Sequence, residues 1–360
     1  MHLLETNRKS VKIGKAVGNL EGLRSSNRKK KNMIVLAGFL LLLTMMVTIT
    51  LGNLHIPLKD VVSVFFSRLG LSTPREDRFD TVVWNIRFPR VCLAAISGAL
   101  LAVAGASFQG IFRNPLVEPY ILGISSGAAC GAAIGIVFLG GIVSVSLLSF
   151  VFALTAMLAA YGIATRAGQT PLVNLILAGC VVSSVFSAVL NLVKTFASDS
   201  KLREISFWLM GGFYTAKWSD VRLLGTCGAL CVLILWSLGW KLNVLSMGDR
   251  EASSLGVRVG LLKIMAIGTA TFATAMTVSI VGIVSWVGLM IPHACRMLIG
   301  ADHRYLIPFS ACLGGLFLVI CDTVARTAIM GEIPVSIVTS LLGAPYLIFL
   351  LRRNRQVGAE

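Results

Sequence analysis

Long apolar runs separated by short polar stretches dominate the hydrophobic pattern of this chain. A membrane span needs about 20 predominantly apolar residues, so each run predicts one transmembrane helix. Eight runs are unambiguous, at residues 33–51, 91–112, 120–139, 143–165, 172–193, 223–240, 307–325 and 334–351.

The segment 261–300 is ambiguous. Lys263 and His293 enclose 29 residues without a charge, which is too many for an untilted helix and too few for two full ones. A split at Ser279–Gly282 gives two spans there and ten in all. We therefore predict an all-α polytopic membrane protein with about ten transmembrane helices.

Small residues predict that the bundle is tightly packed. Gly123, Gly127, Gly131 and Gly135 recur every four residues, which places them on one face of the third span. In lipid, such a face lets two helix backbones approach closely.

The composition excludes a water-soluble fold. Of the 360 residues, 56% are hydrophobic and 13% are charged, whereas a soluble domain carries about a quarter charged residues. The net charge of +16 could indicate nucleic-acid binding, but cytoplasmic loops and tails of membrane proteins are basic as well. We expect no nucleic-acid partner. The eight cysteines lie in or beside apolar runs without paired spacing, so we expect core residues and no disulfides.

The basic ends of the chain predict the topology. Residues 1–32 hold nine Lys and Arg residues, and cytoplasmic segments are enriched in both. We predict a disordered, cytoplasmic basic tail (1–32), a ten-helix domain (33–351) with a cytoplasmic coupling segment (241–262), and a cytoplasmic C-terminal tail (352–360). The chain is then a multi-pass protein of the bacterial cytoplasmic (inner) membrane with both termini inside.

Three arginines lie at the predicted outward ends of spans. Arg87 and Arg90 precede the second span, and Arg326 ends the ninth. Arginines at helix ends often snorkel to the interface, but guanidinium groups also bind carboxylates of a partner protein in a bidentate fork. The pattern alone does not choose between these readings. Asp322 and Arg326 have the i, i+4 spacing of a local ion pair.

Two inward segments carry candidate functions. Asn114, Pro115 and Leu116 break the chain between the second and third spans, either as a tight turn or as a constriction at the cytoplasmic mouth. The segment Leu245–Gly256 predicts a short amphipathic helix, with Asp249 as N-cap and Gly256 as its stop. We favour a protein-docking helix over a solvated loop, because helix-in-groove recognition suits such a segment.

Several chemistries are not indicated. The sequence has no G-x-x-x-x-G-K-[ST] phosphate-binding motif, so energy for uphill transport would come from a partner. Ion-coupled carriers usually keep acids or histidines at membrane depth, and the predicted spans hold only Asp322 and His293. One histidine and one cysteine, His293 and Cys295, cannot close a tetrahedral metal site, so we expect no metal site.

Taken in order, several motifs resemble the permease subunits of ATP-driven importers for ferric siderophores, haem and vitamin B12 (FecCD-type, type II importers). The resemblance covers roughly residues 85–350. The matching stretches are Arg87–Arg90, Gln109–Pro119, Leu122–Gly123, Trp208–Gly211, Leu245–Gly256, Val287–Arg296, Asp302–Arg304, Asp322–Arg326 and Glu332–Pro345.

The resemblance implies partners and residue roles. It implies cytoplasmic ATP-binding subunits that use ATP-Mg, an extracytoplasmic substrate-binding protein, and a second permease copy or a paralogue as homodimer or heterodimer partner. The chain itself would be non-catalytic and bind no cofactor. Arg87, Arg90 and Arg326 would receive acids of the binding protein, and Asn114, Pro115 and Leu116 would belong to an inner gate. The ATPase-coupling residues would be Gly248, Asp249, Arg250, Glu251, Ala252, Leu255 and Gly256.

The resemblance also implies a pathway and a substrate class. The fifth, eighth and tenth spans would line the pathway, at residues 172–193, 283–292 and 334–345. Trp286 and Ser336 depart from the family pattern there, since phenylalanine and glycine are usual. We expect import of a ferric-siderophore-type iron chelate, with vitamin B12 or haem as alternatives. An ion-coupled secondary transporter is the rival from another class.

Overall fold

The computed structural model describes residues 2–52, 54, 56–68, 70–71, 78–140, 142–165, 171–329 and 331–357, with side chains described within 26–348. Ten long helices form the bundle within this part of the chain. They are α1 (His2–Thr50), α2 (Phe88–Phe112), α3 (Ile124–Phe138), α4 (Val145–Ala164), α5 (Leu172–Thr195), α6 (Trp218–Ser237), α7 (Val259–Val281), α8 (Val287–Ile299), α9 (His303–Thr327) and α10 (Val335–Val357).

The ten helices correspond to the ten predicted spans, which confirms the fold class. Seven are long and apolar enough to cross a membrane, and α3, α8 and the apolar part of α10 are shorter. Short helices join them at Leu58–Arg68, Arg78–Asp80, Thr81–Arg87, Pro119–Leu122, Asp199–Met210, Gly239–Leu245 and Asp249–Ser254.

The N-terminal tail, for which the sequence predicts disorder, has helical backbone in the structure. Helix α1 begins at His2 and continues without interruption into the first apolar run. The reason is local: residues 2–50 contain no proline and are rich in Leu, Lys and Arg, which are good helix formers.

The second span is the centre of the bundle. Almost every residue of α2 between Pro89 and Phe112 is buried, and its glycines permit backbone contact with two neighbours. A Cβ on Gly98 would lie 2.1 Å from the carbonyl oxygen of Gly314 in α9, and one on Gly105 would lie 1.8 Å from that of Gly288 in α8. Helices α8 and α9 can therefore pack here only against glycine.

The glycine repeat in the third span has two separate roles. Gly127 and Gly131 face α4, where a Cβ on either would lie 2.5 Å from the carbonyl oxygen of Phe152 or Leu148. Gly123 instead precedes α3 with φ +81° and lies against α5. The single face predicted for all four glycines is thus correct only from Gly127 onward.

Helices α7 and α8 are separated by a non-helical stretch, residues 282–286, which we call the break. Gly282 ends α7 with φ +74°, and a Cβ on it would lie 2.4 Å from the carbonyl oxygen of Trp208. The break begins at Gly282, at the C-terminal end of the predicted split. Since α8 starts level with Gly105 of α2, the break lies among helices, where non-helical backbone needs partners from the protein.

Candidate functional site

Two of the three candidate docking arginines cap the end of α1. Arg87 donates to the carbonyl oxygens of Ile49 at 2.8 Å, Thr50 at 3.1 Å and Leu54. Arg326 donates to the carbonyl oxygens of Leu51 at 2.6 Å and Thr48. The last carbonyls of a helix lack intrahelical donors and carry partial negative charge, so both guanidinium groups stabilise this helix end.

Arg90, the third, is held in an ion-pair network. Its Nε and Nη2 contact Asp322 Oδ1 at 3.0 and 2.9 Å, and its Nη1 lies 2.8 Å from Glu332 Oε1. The Asp322 side chain is 1% exposed, whereas that of Glu332 is 49% exposed. The i, i+4 pair predicted between Asp322 and Arg326 is secondary, with 3.9 Å between its nearest atoms.

All three candidate docking arginines are buried. Arg87, Arg90 and Arg326 are 6%, 9% and 9% exposed, and each has partners within the chain. Snorkelling does not describe them either, because their guanidinium groups are buried. Their role in docking a binding protein stays a prediction.

The segment predicted to dock an ATPase forms a helix of six residues, Asp249–Ser254, which we call the docking helix. Its N-cap is Gly248, with φ +147° and no side-chain cap bond, so the prediction that Asp249 caps the helix was wrong. Asp249 is the first helical residue, and its carboxylate pairs with Arg113 and with Lys263 Nζ at 2.6 Å.

The predicted stop at Gly256 is confirmed. Gly256 has φ +80°, its N–H donates to Ser253 O at 3.0 Å, and the Val257 N–H donates to Ala252 O at 3.0 Å. These are the two bonds of a Schellman motif, which favours glycine at the left-handed position. Ala252 and Val257 are buried, while Arg250, Glu251 and Leu255 are exposed. One side of the docking helix is thus buried against the protein, and the other side exposes both charged and apolar side chains.

The predicted gate residues lie in the connection between α2 and the Pro119–Leu122 helix, residues 113–118, which we call the gate loop. Arg113 ends α2 in the left-handed conformation, with φ +53°. The Asn114 Oδ1 accepts the Leu116 N–H at 2.9 Å, and Leu116 is 49% exposed. The structure brings the gate loop and the docking helix together through the ion pair of Arg113 with Asp249.

The break contains one of the two pathway candidates. Trp286 has φ +74°, a left-handed conformation that costs a bulky residue about 1–3 kcal/mol. Its backbone N–H donates to Glu118 Oε1 at 3.1 Å. Its ring lies against Gly343 of α10, where a Cβ would be 2.5 Å from the indole.

The other pathway candidate, Ser336, lies in the first turn of α10, and its hydroxyl donates to the carbonyl oxygen of Met210. Ser336 thus lies in α10 and Trp286 lies against it, and their place in one pathway stays a prediction. No described contact joins them to each other.

Side chains near the gate loop supply the partners that the break and the start of α8 need. The Tyr120 hydroxyl donates to Val284 O at 2.9 Å, and Gln109 Nε2 donates to Leu289 O at 3.1 Å. Sequence reasoning assigned no role to Glu118 or Tyr120. The available signal was a carboxylate and a phenol on either side of Pro119, where the third apolar run begins.

A polar cluster fixes the chain just before the docking helix. Asn243 Nδ2 donates to Asp302 Oδ1 at 2.6 Å, and Asn243 Oδ1 accepts the His303 N–H at 2.8 Å. Burial would raise the pKa of the Asp302 carboxyl, but hydrogen bonds from Arg304 and Asn243 outweigh it and lower the pKa to about 2. The cluster anchors the Gly239–Leu245 helix to the start of α9.

Comparison with known proteins places these features in a family. The sequence profile of the FecCD transport family matches residues 40–353. The chain is 42% identical to the cobalamin import system permease of Halobacterium salinarum over 77% of this chain and 75% of that one. It is 35% identical to the molybdate import system permease of Haemophilus influenzae over 88% of this chain and 94% of that one.

Other relatives are named for iron(3+)-hydroxamate import in Bacillus subtilis and hemin transport in Yersinia pestis. A solved structure described as an inward-facing, metal-chelate type ABC transporter superposes with a TM-score of 0.80 at 34% identity, covering 90% of this chain and 99% of that one. The chain therefore belongs to the FecCD transport family and is an ABC-importer permease of that type.

Proposed function

We propose that this permease carries a ferric-siderophore-type iron chelate across the cytoplasmic membrane. The importer function is supported by the family match over residues 40–353. The matched region includes the gate loop, the docking helix and the break. Membership implies that ATP hydrolysis lies in separate subunits and that a binding protein delivers the substrate. We further propose that two permease chains pair around the pathway and that both termini are cytoplasmic.

The names of the relatives include three metal chelates and one oxyanion, so they do not select the substrate. Their names include cobalamin, iron-hydroxamate, hemin and molybdate. The two pathway candidates, Trp286 and Ser336, are uncharged. Uncharged pathway side chains suit a large neutral or weakly charged chelate better than a small oxyanion, for which arginine or lysine rings are the usual device. Vitamin B12 and haem remain the alternatives.

The substrate proposal is tested on the binding protein that co-purifies with the chain. Its intrinsic fluorescence is titrated with ferric hydroxamate and catecholate siderophores, cobalamin, haem and molybdate. We expect saturable quenching by one ferric siderophore class, with the iron-free siderophore as control. Saturation by cobalamin, haem or molybdate alone would assign that substrate instead.

The docking roles of the three arginines are tested separately from the substrate. If acidic residues of the binding protein dock at this end of the bundle, Arg90 is the arginine best placed to bind them. Its partner Glu332 is half exposed, so an acid of the binding protein can replace it. We expect the charge-swapped double variant Arg90→Glu with Asp322→Arg, which keeps the buried ion pair, to abolish binding-protein capture while the permease and ATP-binding subunits still co-purify. Lys201→Glu, at an exposed ion pair on the outward Asp199–Met210 helix, is the control. Unchanged capture by the charge-swapped variant would refute the docking role of Arg90.

A further inference from the structure

The gate loop is held at both of its ends by charged side chains. At one end, Arg113 pairs with Asp249 of the docking helix. At the other end, the Glu118 carboxylate accepts the backbone N–H of Trp286 in the break at 3.1 Å. Arg113 and Glu118 are only five positions apart. One short connection therefore contacts both the docking helix and the pathway candidate Trp286.

The contact at the docking helix has a buried anchor. Lys263 Nζ lies 2.6 Å from Asp249 Oδ2, and the Lys263 side chain is 7% exposed. A buried ammonium without a partner is strongly destabilising. Asp249 is therefore held by α7 on one side while it holds Arg113 on the other, and the docking helix cannot shift without moving one of these pairs.

The loop between the two contacts is stiff. The Asn114 N–H donates to Gln109 O at 3.2 Å, the Val117 N–H donates to Asn114 O at 3.3 Å, and the Asn114 side chain closes the turn onto Leu116. Pro115 has a fixed φ angle. A displacement of Arg113 is thus transmitted along the loop more readily than it is absorbed within it.

The contact at the break stabilises the left-handed backbone conformation of Trp286. Trp286 is one of two non-glycine residues with positive φ in the described chain, and such a conformation persists only where its surroundings impose it. Glu118 supplies the acceptor for its N–H, and the Tyr120 hydroxyl binds the carbonyl two residues earlier, at Val284.

We propose that Glu118 is a positioning residue that holds Trp286 in place, and that the gate loop carries movement of the docking helix to this tryptophan. The physiological meaning rests on the proposed function, because an ATP-binding subunit has to move the docking helix. The structural part of the inference does not, since it concerns contacts within this chain.

Hydrogen–deuterium exchange on the purified full chain in lipid nanodiscs, without any partner, tests the structural part. We expect Glu118→Ala to raise the exchange rate of the Trp286 amide about tenfold, because the charged acceptor is lost. Glu118→Gln keeps an acceptor oxygen and should restore a rate close to that of the unaltered chain. Glu204→Ala, on the Asp199–Met210 helix, is the control. A Trp286 amide that exchanges at the unaltered rate in Glu118→Ala overturns the positioning role.

The second measurement follows transmission along the loop. We expect Arg113→Gln, which breaks the pair with Asp249 and leaves Lys263 paired, to raise exchange at the Leu116, Val117 and Trp286 amides, whereas the exposed Arg250→Gln of the docking helix leaves all three unchanged. Exchange that rises in the loop but not at Trp286 would overturn the transmission. In the assembled complex, Glu118→Ala should retain ATP hydrolysis and lower uptake per ATP, with rescue by Glu118→Gln. Failure of the unaltered complex to import would count against the proposed function and leave the exchange results standing.

Discussion

At the scale of single residues, long-range partners decide what the candidate side chains do. Arg90 and Asp322 are 232 positions apart in sequence, and the arginines that cap α1 reach across 38 and 275 positions. The sequence pattern identified these residues as candidates, because they lie at the predicted outward ends of spans and within stretches that resemble the family. It could not reveal their partners, because nothing in a local pattern encodes which helices become neighbours.

The two carboxylates on Arg90 should contribute unequally to stability. Asp322→Ala leaves a buried guanidinium without its main partner and should lower the unfolding free energy by about 3–5 kcal/mol. Glu332→Ala removes a half-exposed partner of the same arginine and should cost less than about 1 kcal/mol. Thermal unfolding in detergent compares the two variants. Equal losses would contradict the assignment of Asp322 as the principal partner.

Glycine at the closest helix contacts should be indispensable. A Cβ at Gly105 would overlap the Gly288 carbonyl, so Gly105→Ala should destabilise the protein by about 1–3 kcal/mol. Gly162 lies inside α4 with nothing within 4 Å of a Cβ, and Gly162→Ala should be neutral or stabilising by up to about 1 kcal/mol. The melting temperatures of both variants check this, and a Gly105→Ala protein as stable as the parent would refute the close contact.

At the scale of elements, the sequence predicted most helices and their ends but not how irregular segments are supported. The break was located from an uncharged run of awkward length, and the Gly256 stop from its residue type. Asp249 was misassigned as an N-cap because a capping residue and an ion-pair partner look alike in sequence. The left-handed Trp286 was unpredictable, because tryptophan has no intrinsic preference for that conformation.

The docking helix should bind the ATP-binding subunit through its exposed side. Leu255 is 56% exposed at the end of this helix, and a carboxylate there would oppose burial in an apolar groove. We expect Leu255→Asp to reduce co-purification of the ATP-binding subunit at least about tenfold. Ser200→Asp, on the Asp199–Met210 helix, is the matched control. Retained co-purification by Leu255→Asp would remove the docking assignment from this helix.

At the scale of the whole molecule, the buried glycine contacts of α2 with α8 and α9 make the bundle centre a rigid unit. The break, the gate loop and the docking helix lie where the long helices end, so these segments can move relative to the packed centre with less loss of packing. Transport would then occur by movement between packed bodies, driven from the docking helix.

The topology gives a prediction that depends on the basic termini. With ten spans and cytoplasmic ends, green fluorescent protein fused to either terminus should fluoresce in cells, and alkaline phosphatase at the same positions should be inactive. The paired fusions are mutual controls. Active phosphatase at one terminus only would require an odd number of spans.

ATP dependence of uptake tests the central claim most directly. The chain is reconstituted into liposomes with its ATP-binding subunit and binding protein, and uptake of the chelate that binds the latter is followed. We predict uptake only when hydrolysable ATP is supplied on the side of the ATP-binding subunit, and none from a proton or sodium gradient. Gradient-driven uptake by the chain alone would contradict the account and identify an ion-coupled carrier.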